Sequence, residues 1–360
     1  MYNFLRPYLF NLDPEQAHAL TLHALRISGN IPPLRWLIAQ QFKAPSKPVH
    51  VFGLDFKNPV GLAAGYDKDG VAIRGLSTLG FGHVEIGTVT PKPQAGNPSP
   101  RIFRLLEDDA VINRMGFPSK GSEFVQMQLN PNLRTNWIER VTGFSPRNKK
   151  QVIKQKWGTV LGVNLGKNKD TPNEEAVFDY LALLQNFAGL ADYLAINVSS
   201  PNTVGLRNLQ GREALEKILT QLHQQRLIEQ NNHKKRIPIL VKLAPDLSES
   251  ELDEAIEAII SSRMDGVIVT NTTLGREGLR SNRKGESGGL SGSPLTVKSE
   301  AVLHQTIKRV NGEIPVVSAG GIMSPDDAKR RLDIGAALVQ VYTGLIYRGP
   351  ALVQDIVKAL

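Results

Sequence analysis

The chain of 360 residues contains no cysteine. This absence excludes disulfide bonds, thiolate metal sites, ligation of an iron–sulfur cluster and a cysteine that acts as base or nucleophile. The seven histidines show no metal-ligand spacing on a shared helical face or strand, so we expect no metal site. Any redox chemistry of this chain would have to come from an organic cofactor.

Long hydrophobic runs are also missing. The longest apolar stretches have the length of a strand, such as residues 159–165, and none approaches the roughly 20 residues that a membrane-spanning helix needs. The first residues lack the ordered charged, apolar and small-residue regions of a signal peptide. We therefore expect a protein that stays in the cytoplasm and has no helix across a membrane.

Acidic residues are scarce in one segment. Between Arg134 and Lys156 there are seven basic residues and one acidic residue, a local excess of six positive charges in a chain of formal net charge +9. Such a patch can attract phosphates, acidic lipid or nucleic acid, but a solvated loop is its commonest explanation. The sequence leaves these interpretations open.

From Asn58 onward, eight short β-rich runs alternate with helical stretches, the pattern of parallel βα units. The runs are 59–63, 83–87, 159–165, 193–197, 239–243, 267–270, 315–319 and 338–342. Apolar residues at helical spacing lie between them, for instance over 174–187, 213–228 and 250–260. Eight units indicate a closed (β/α)8 barrel, or TIM barrel, although a doubly wound α/β sheet shows the same alternation.

The residues that follow these runs favour the barrel. They are Lys68, Thr88, Asn164, Asn197, Lys242, Thr270, Asn271, Thr272, Gly320, Gly321, Tyr342 and Thr343. In a barrel all eight strand ends converge on one mouth, where active sites lie. A doubly wound sheet would bring only a few of them together.

Residues 1–46 predict a helical extension that precedes the barrel domain of residues 47–360. Asp13 is suited to cap a helix that starts at Pro14, has Gln16 as capping-box partner and ends at Gly29. A second short helix is predicted over 34–42. The apolar face of this pair either packs against the barrel or enters the membrane interface.

Three motifs carry residues suited to chemistry. In 63–70, glycine and alanine permit close approach of a flat cofactor beside Lys68, although a lysine near two aspartates is often a surface ion pair. In 197–202, two amide side chains can form hydrogen bonds with the edge of a planar ring, and a serine can act as a base if water or a cation assists. The alternative is a turn whose side chains only cap its own backbone. The glycines of 320–321 and 344 either cradle a phosphate at strands seven and eight or form simple turns.

The ordered motifs resemble those of the membrane-associated, quinone-dependent class (class 2) of dihydroorotate dehydrogenases. They are 63–70, 85–91, 113–117, 197–203, 205–207, 241–247 and 270–273. The resemblance runs from the N-terminal helices to the C-terminus. It implies oxidation of (S)-dihydroorotate to orotate in de novo pyrimidine (UMP) biosynthesis, with FMN as hydride acceptor and ubiquinone or menaquinone as final acceptor.

The resemblance also implies the residues of the site. FMN would be held by Ala64, Gly65, Tyr66, Asp67, Lys68, Thr88, Asn164, Asn197, Lys242, Thr270, Gly292, Gly321, Tyr342 and Thr343. Dihydroorotate would be held by Lys68, Asn113, Arg114, Met115, Gly116, Phe117, Asn197, Asn202, Asn271 and Thr272. Ser200 would be the catalytic base that takes a proton from C5 of dihydroorotate while C6 gives a hydride to the flavin.

Further implications concern partners and location. The N-terminal helices would form the quinone entrance, with the protein bound peripherally to the cytoplasmic face of the cell membrane. We expect neither a nucleic-acid partner nor an iron–sulfur subunit. Serine in place of cysteine at the base position separates this class from the soluble relatives linked to fumarate or NAD.

Two other functions were weighed against this one. Another FMN barrel oxidoreductase would keep the phosphate glycines but lack the residues at 113–117 and 199–202. A basic surface-binding protein that uses residues 134–156 would bind no flavin and would show strongly salt-dependent binding. The stretch between Phe117 and Asn164 is longer than expected for bacterial family members, and its basic insert either touches acidic lipid or is disordered.

Overall fold

The computed structural model of the chain describes residues 2–130, 133 and 157–360, so the basic segment 134–156 lies outside it. The strands are β1 (Val49–Val51), β2 (Leu54–Phe56), β3 (Val60–Leu62), β4 (His83–Val89), β5 (Ile102–Leu105), β6 (Ala110–Asn113), β7 (Val160–Leu165), β8 (Tyr193–Asn197), β9 (Ile239–Leu243), β10 (Gly266–Val269), β11 (Gly289–Gly292), β12 (Val316–Ala319) and β13 (Leu338–Val341). The helices are α1 (Tyr2–Asn11), α2 (Pro14–Asn30), α3 (Pro32–Gln41), α4 (Ile73–Leu76), α5 (Ser122–Leu129), α6 (Ala176–Phe187), α7 (Arg212–His233), α8 (Glu249–Ser261), α9 (Thr296–Val310), α10 (Pro325–Ile334), α11 (Thr343–Arg348) and α12 (Ala351–Ala359).

Eight parallel strands close into a barrel in the order β10-β12-β13-β3-β4-β7-β8-β9. Each of them coincides with or overlaps one of the eight predicted runs, which confirms the (β/α)8 fold. These strands are buried along nearly their whole length. Because helices cover the outside and side chains fill the inside, these strands are mainly apolar on both faces, as expected for a parallel sheet, apart from a few buried polar residues such as Glu85 and Gln340.

The predicted helices between strands are present with shifted ends. Helix α7 continues to His233, five residues past its predicted end, and α6 begins at Ala176, after a 3-10 turn. Helix α8 starts at a capping box in which the Ser248 hydroxyl accepts from the Glu251 backbone N–H, and the Glu251 carboxylate accepts from the Ser248 backbone N–H. Such boundaries depend on side-chain caps and tight turns rather than on apolar spacing alone.

An antiparallel sheet of three strands, β11-β6-β5, lies outside the barrel ladder and was not predicted. It joins the long connection between β4 and β7 to the one between β10 and β12, because Asn113 on β6 pairs with Gly289 on β11 and with Ile102 on β5. This pairing carries Asn113 and Gly292 to the barrel mouth. At the opposite end the β1-β2 hairpin closes the barrel floor, where Phe52 and Phe56 belong to a core cluster with the lower strand residues.

The N-terminal extension contains three helices rather than the predicted pair, since α1 precedes the other two. Asp13 Oδ1 accepts from the backbone N–H groups of Glu15 and Gln16, as its N-cap role predicts. No hydrogen bond from the Gln16 side chain back to the cap is found in the described part of the chain, so the predicted capping box is only half formed. Helix α2 ends at Asn30, and α3 begins two residues earlier than predicted because prolines fit the first helical turn.

Helix α2 docks on the barrel through close backbone contact. A Cβ atom on Gly29 would lie 2.4 Å from the backbone nitrogen of Gly75 in α4. Gly29 is therefore required for packing and does not end the helix, which continues to Asn30. None of the helices in residues 2–130 and 157–360 has the length and apolarity that would let it cross a bilayer.

Some glycines of the barrel strands leave room for a large side chain of the neighbouring strand, and Gly162 on β7 is one of them. A Cβ there would lie 2.2 Å from Cζ of Tyr193, a fully buried residue whose hydroxyl donates to Glu85. We expect Gly162→Ala to lower the free energy of unfolding by about 1–3 kcal/mol through overpacking, measured as a lower denaturant midpoint.

Gly285→Ala is the matched control, because a Cβ at Gly285 meets no atom within 4 Å and its φ is not positive. Its unfolding free energy should change by less than about 0.5 kcal/mol. Equal midpoints for both variants would contradict the packing argument.

Candidate active site

A cavity of about 810 Å³ opens where the carboxyl ends of the barrel strands meet. This volume is in the range of roughly 300–1,000 Å³ found for cofactor and ligand sites. The cavity continues between the N-terminal helices, where Leu9, Ala17, Thr21, Leu34 and Ile38 form its walls. It therefore has a polar end in the barrel mouth and an apolar end under the extension.

Most of the residues predicted for the site line this cavity. They are Ala64, Gly65, Tyr66, Lys68, Thr88, Asn113, Met115, Gly116, Phe117, Asn197, Ser200, Asn202, Lys242, Thr270, Asn271, Thr272, Gly292, Gly321, Tyr342 and Thr343. The three others, Asp67, Arg114 and Asn164, do not reach it. The barrel thus brings together residues that are up to 279 positions apart in the sequence, from Ala64 to Thr343.

Two of these three residues shape loops near the mouth. Asp67 is fully buried, and its carboxylate accepts from the backbone N–H groups of Val71 and Ala72 at 2.9 and 2.7 Å. Burial raises the pKa of Asp67 to about 6. Arg114 points away, since its Nη1 donates to Glu286 at 2.6 Å and its guanidinium lies over the Phe103 ring.

The third residue, Asn164, lies behind the cavity wall and orients two residues that form it. Its Oδ1 accepts from the Thr88 hydroxyl at 2.6 Å and from Asn197 Nδ2 at 3.0 Å. Asn197 Nδ2 also donates to the Thr88 hydroxyl at 3.0 Å. Because these side chains come from β4, β7 and β8, the network fixes three neighbouring strand ends relative to one another.

A buried carboxylate, Glu85 on β4, supports this network from below. Its oxygens accept from Asn164 Nδ2 at 2.9 Å, from the Tyr193 hydroxyl at 3.0 Å and from Gln340 Nε2 at 2.8 Å. Burial lowers the pKa of Lys242, and the charge of Glu85 opposes that shift. Glu85 therefore favours a charged lysine in the cavity wall.

Sequence reasoning assigned no role to Glu85 or Gln340, although Glu85 stands in one of the quoted motifs. The available signal was a charged residue that stands between two apolar residues, Val84 and Ile86, in a predicted strand. A charge buried in this way needs hydrogen-bond partners. Gln340 lines the cavity, and its Oε1 has no hydrogen-bond partner in the described residues. The free oxygen can accept from a ligand.

The segment after β8 separates two adjacent serines. The Ser199 hydroxyl is fully buried, donates to Asn197 Oδ1 at 3.1 Å and accepts from Asn271 Nδ2 at 2.9 Å. Ser200 lines the cavity, and its Oγ accepts only a 3.3 Å bond from the Asn202 backbone N–H within the described residues. Ser200 is the hydroxyl of the pair that can meet a ligand.

Asparagine side chains from distant loops converge beside Ser200. Asn202 Nδ2 donates to Asn113 Oδ1 at 3.1 Å, which joins the segment after β8 to the outer sheet. Lys68 lies at the same mouth, donates to the Gly65 carbonyl at 2.6 Å, and has its pKa lowered to about 8 by burial. Amides and a cation together suit a planar ring that carries a carboxylate.

A glycine cradle follows β12. Gly321 has φ +70°, and a Cβ there would lie 2.4 Å from Cα of Thr296, so only glycine fits. The Thr296 hydroxyl donates to the Gly321 carbonyl at 2.7 Å and holds the turn. The backbone N–H groups of Gly321 and Ile322 donate to no other atom of the described chain, and both residues line the cavity. Such N–H groups at the end of barrel strand seven suit a phosphate.

The closed parallel barrel, the polar residues at its carboxyl face and the glycine cradle are typical of (β/α)8-barrel enzymes that bind a phosphate-bearing ligand. Comparison with known proteins narrows this class. Residues 47–360 match the family described as dihydroorotate dehydrogenase. The chain belongs to this family.

Full-length relatives support the assignment. The chain is 46% identical over 363 residues to dihydroorotate dehydrogenase (quinone) of Halorhodospira halophila, with 100% of this chain and 97% of the relative covered. It is 45% identical to the enzyme of the same name from Idiomarina loihiensis, with both chains covered completely. A crystal structure of DHODH from Eimeria tenella in complex with ferulenol superposes with a TM-score of 0.80 at 40% identity, over 96% of this chain and 90% of that one.

Proposed function

We propose that the protein oxidises (S)-dihydroorotate to orotate and passes the electrons to a quinone, a step of pyrimidine biosynthesis. The observation that carries this proposal is the position of Ser200, which lies in one cavity with Lys68 and the amides of Asn113, Asn202 and Asn271. This set matches a ring that offers amide donors and acceptors, a carboxylate and an acidic carbon. The names of the full-length relatives support the same reaction and the same acceptor.

We propose FMN as the cofactor. The free N–H groups of the cradle at Gly321 fit its phosphate, and Thr88, Asn197 and Lys242 would face the flavin ring. When bound, FMN supplies the hydride acceptor that the side chains of a cysteine-free chain cannot provide. Lys242 would place positive charge beside the ring, and Glu85 favours this charged form against the burial that lowers the pKa of Lys242.

The substrate would be held by charge and by paired amides. Lys68 would neutralise the carboxylate, and Asn113, Asn202 and Asn271 would fix the edge of the ring. Ser200 would take the proton from C5 and release its own hydroxyl proton to water, while the hydride would pass from C6 to the flavin. The histidine that lines the cavity in the described residues, His18, stands on the N-terminal helices with its ring 5.0 Å from that of Tyr66. No hydrogen bond joins it to Ser200 in the described residues, so catalysis would depend mainly on positioning and on the surrounding charges.

The proposed base is tested by Ser200→Ala. We expect the variant to retain FMN but to be reduced by dihydroorotate about 10²-fold to 10⁴-fold more slowly, the range typical of a lost general base. The rate is measured from flavin absorbance in an anaerobic stopped-flow experiment. Ser199→Ala is the comparison, since it removes a buried hydroxyl that holds Asn197 and Asn271 but keeps Ser200. Its flavin should be reduced faster than that of Ser200→Ala. A wild-type rate in Ser200→Ala would exclude its role.

We propose that the extension, residues 1–46, faces the quinone and the cytoplasmic face of the cell membrane. The cavity continues between these helices, and large apolar side chains stand on their outer surface, with Phe4 72% and Trp36 61% exposed. Apolar helices of this kind lie in a membrane interface rather than across it. Quinone would thus reach the flavin from the lipid side.

The quinone path is tested by Ala17→Trp, which would fill the apolar end of the cavity where Ala17 forms the wall. We expect turnover with a ubiquinone analogue to fall at least about tenfold, while anaerobic flavin reduction by dihydroorotate stays unchanged, because the two half-reactions use opposite ends of the cavity.

Ala19→Trp is the matched control on the same helix, because Ala19 is exposed and does not line the cavity. It should leave both half-reactions unchanged. Normal quinone turnover in Ala17→Trp would show that quinone does not pass between these helices.

A further inference from the structure

Arg207 lies just behind the loop that carries Ser200, and its guanidinium contacts three separate segments. Nε donates to the Ser199 carbonyl at 3.1 Å. Nη2 donates to the Thr272 carbonyl at 2.8 Å, and Nη1 donates to Asp246 Oδ2 at 2.8 Å. One planar group therefore ties the segments that follow β8, β9 and β10.

Asp246 anchors this guanidinium. Its carboxylate also accepts from the Thr273 hydroxyl at 2.5 Å, from the Leu274 backbone N–H at 3.0 Å, and from Lys298 Nζ. Burial opposes ionisation, but the hydrogen bonds from Lys298, Thr273 and Arg207 outweigh it and lower the pKa of Asp246 to about 2. The side chains of Arg207 and Asp246 are each 19% exposed, so the pair is largely shielded from solvent.

The carbonyls that Arg207 holds belong to the cavity wall or lie next to it. Thr272 lines the cavity, and Ser199 immediately precedes Ser200, whereas Arg207 itself does not line the cavity. Arg207 can thus affect a bound ligand only through these two loops. A guanidinium suits this role because its donors form a rigid planar fork, whereas a lysine ammonium is a single point on a flexible stem.

We propose that Arg207, anchored by Asp246, is a positioning residue that sets the distance between the loop of Ser200 and the substrate-facing loop at Thr272. This inference rests on the proposed function, in which Ser200 is the base. A displacement of about 1 Å in such a site can lower a rate by roughly 10²-fold. The reductive half-reaction should therefore depend on Arg207 and the oxidative half-reaction should not.

The test is Arg207→Met in the full-length holoenzyme. Anaerobic reduction by dihydroorotate should slow by about 10- to 100-fold at saturating substrate, as expected for a positioning defect. Orotate should also bind more weakly, as measured by its perturbation of the flavin spectrum. FMN content and reoxidation of chemically reduced flavin by a ubiquinone analogue should match the wild type, because Arg207 bonds the carbonyls of Ser199 and Thr272 and none of the residues proposed to hold FMN.

Arg212→Met is the matched control, since Arg212 forms a largely exposed pair with Glu257 away from the cavity. It should leave both half-reactions unchanged.

Arg207→Lys keeps the charge but not the three-way fork, and Asp246→Asn keeps an acceptor but not the charge. We expect both variants to show an intermediate loss confined to flavin reduction.

Unchanged flavin reduction in Arg207→Met would overturn the inference. An equal loss in both half-reactions, or loss of FMN, would assign Arg207 a merely structural role and would overturn it as well. If Arg207→Met does not fold, Arg207→Lys decides by the same comparison. Failure of the proposed function is distinguishable, because the wild-type flavin would then not be reduced by dihydroorotate at all.

Discussion

Closure of the parallel barrel is the constraint on which the rest of the molecule depends. The ladder between β9 and β10 and that between β10 and β12 complete a ring in which all eight carboxyl ends face one mouth. Four consecutive strands of this ring, β8, β9, β10 and β12, each place one residue of the cavity at or just after their carboxyl ends: Asn197, Lys242, Thr270 and Gly321. Without closure these side chains would lie along the edge of an open sheet, and no common cavity would form.

Closure of the barrel buries the carboxylate of Glu85 in the interior, where neighbouring side chains donate hydrogen bonds to it. Glu85 is fully buried, and removing a carboxylate from water is costly unless donors replace the solvent. Asn164, Tyr193 and Gln340 provide those donors from three other strands. The same carboxylate favours the charged form of Lys242. The buried network therefore links the packing of the barrel to the electrostatics of the cavity. Above it, the Arg207–Asp246 pair connects the loops that follow β8, β9 and β10.

The strands were predictable because burial on both faces leaves continuous apolar runs, and their polar ends indicated one mouth. Structure that depends on distant pairing was not predicted: the outer sheet at Asn113 forms only when residues 102–113 meet residues 289–292, and local patterns do not show that. Helix α1 was missed because Pro7 lies inside it, and an internal proline is unfavourable in a helix. The sequence also could not show that Arg114 turns toward Glu286, since loop residues choose partners through tertiary contacts. Apolar spacing, in contrast, is a local property.

The central claim is that the barrel mouth holds FMN beside dihydroorotate and delivers electrons to quinone. The most direct test is an anaerobic absorbance spectrum of the purified protein before and after addition of dihydroorotate. The account predicts an oxidised-flavin band that bleaches and is restored by a ubiquinone analogue but not by fumarate or NAD. A flavin band that does not bleach would contradict the proposed substrate. A protein that stays colourless after incubation with FMN would contradict the account of the site itself.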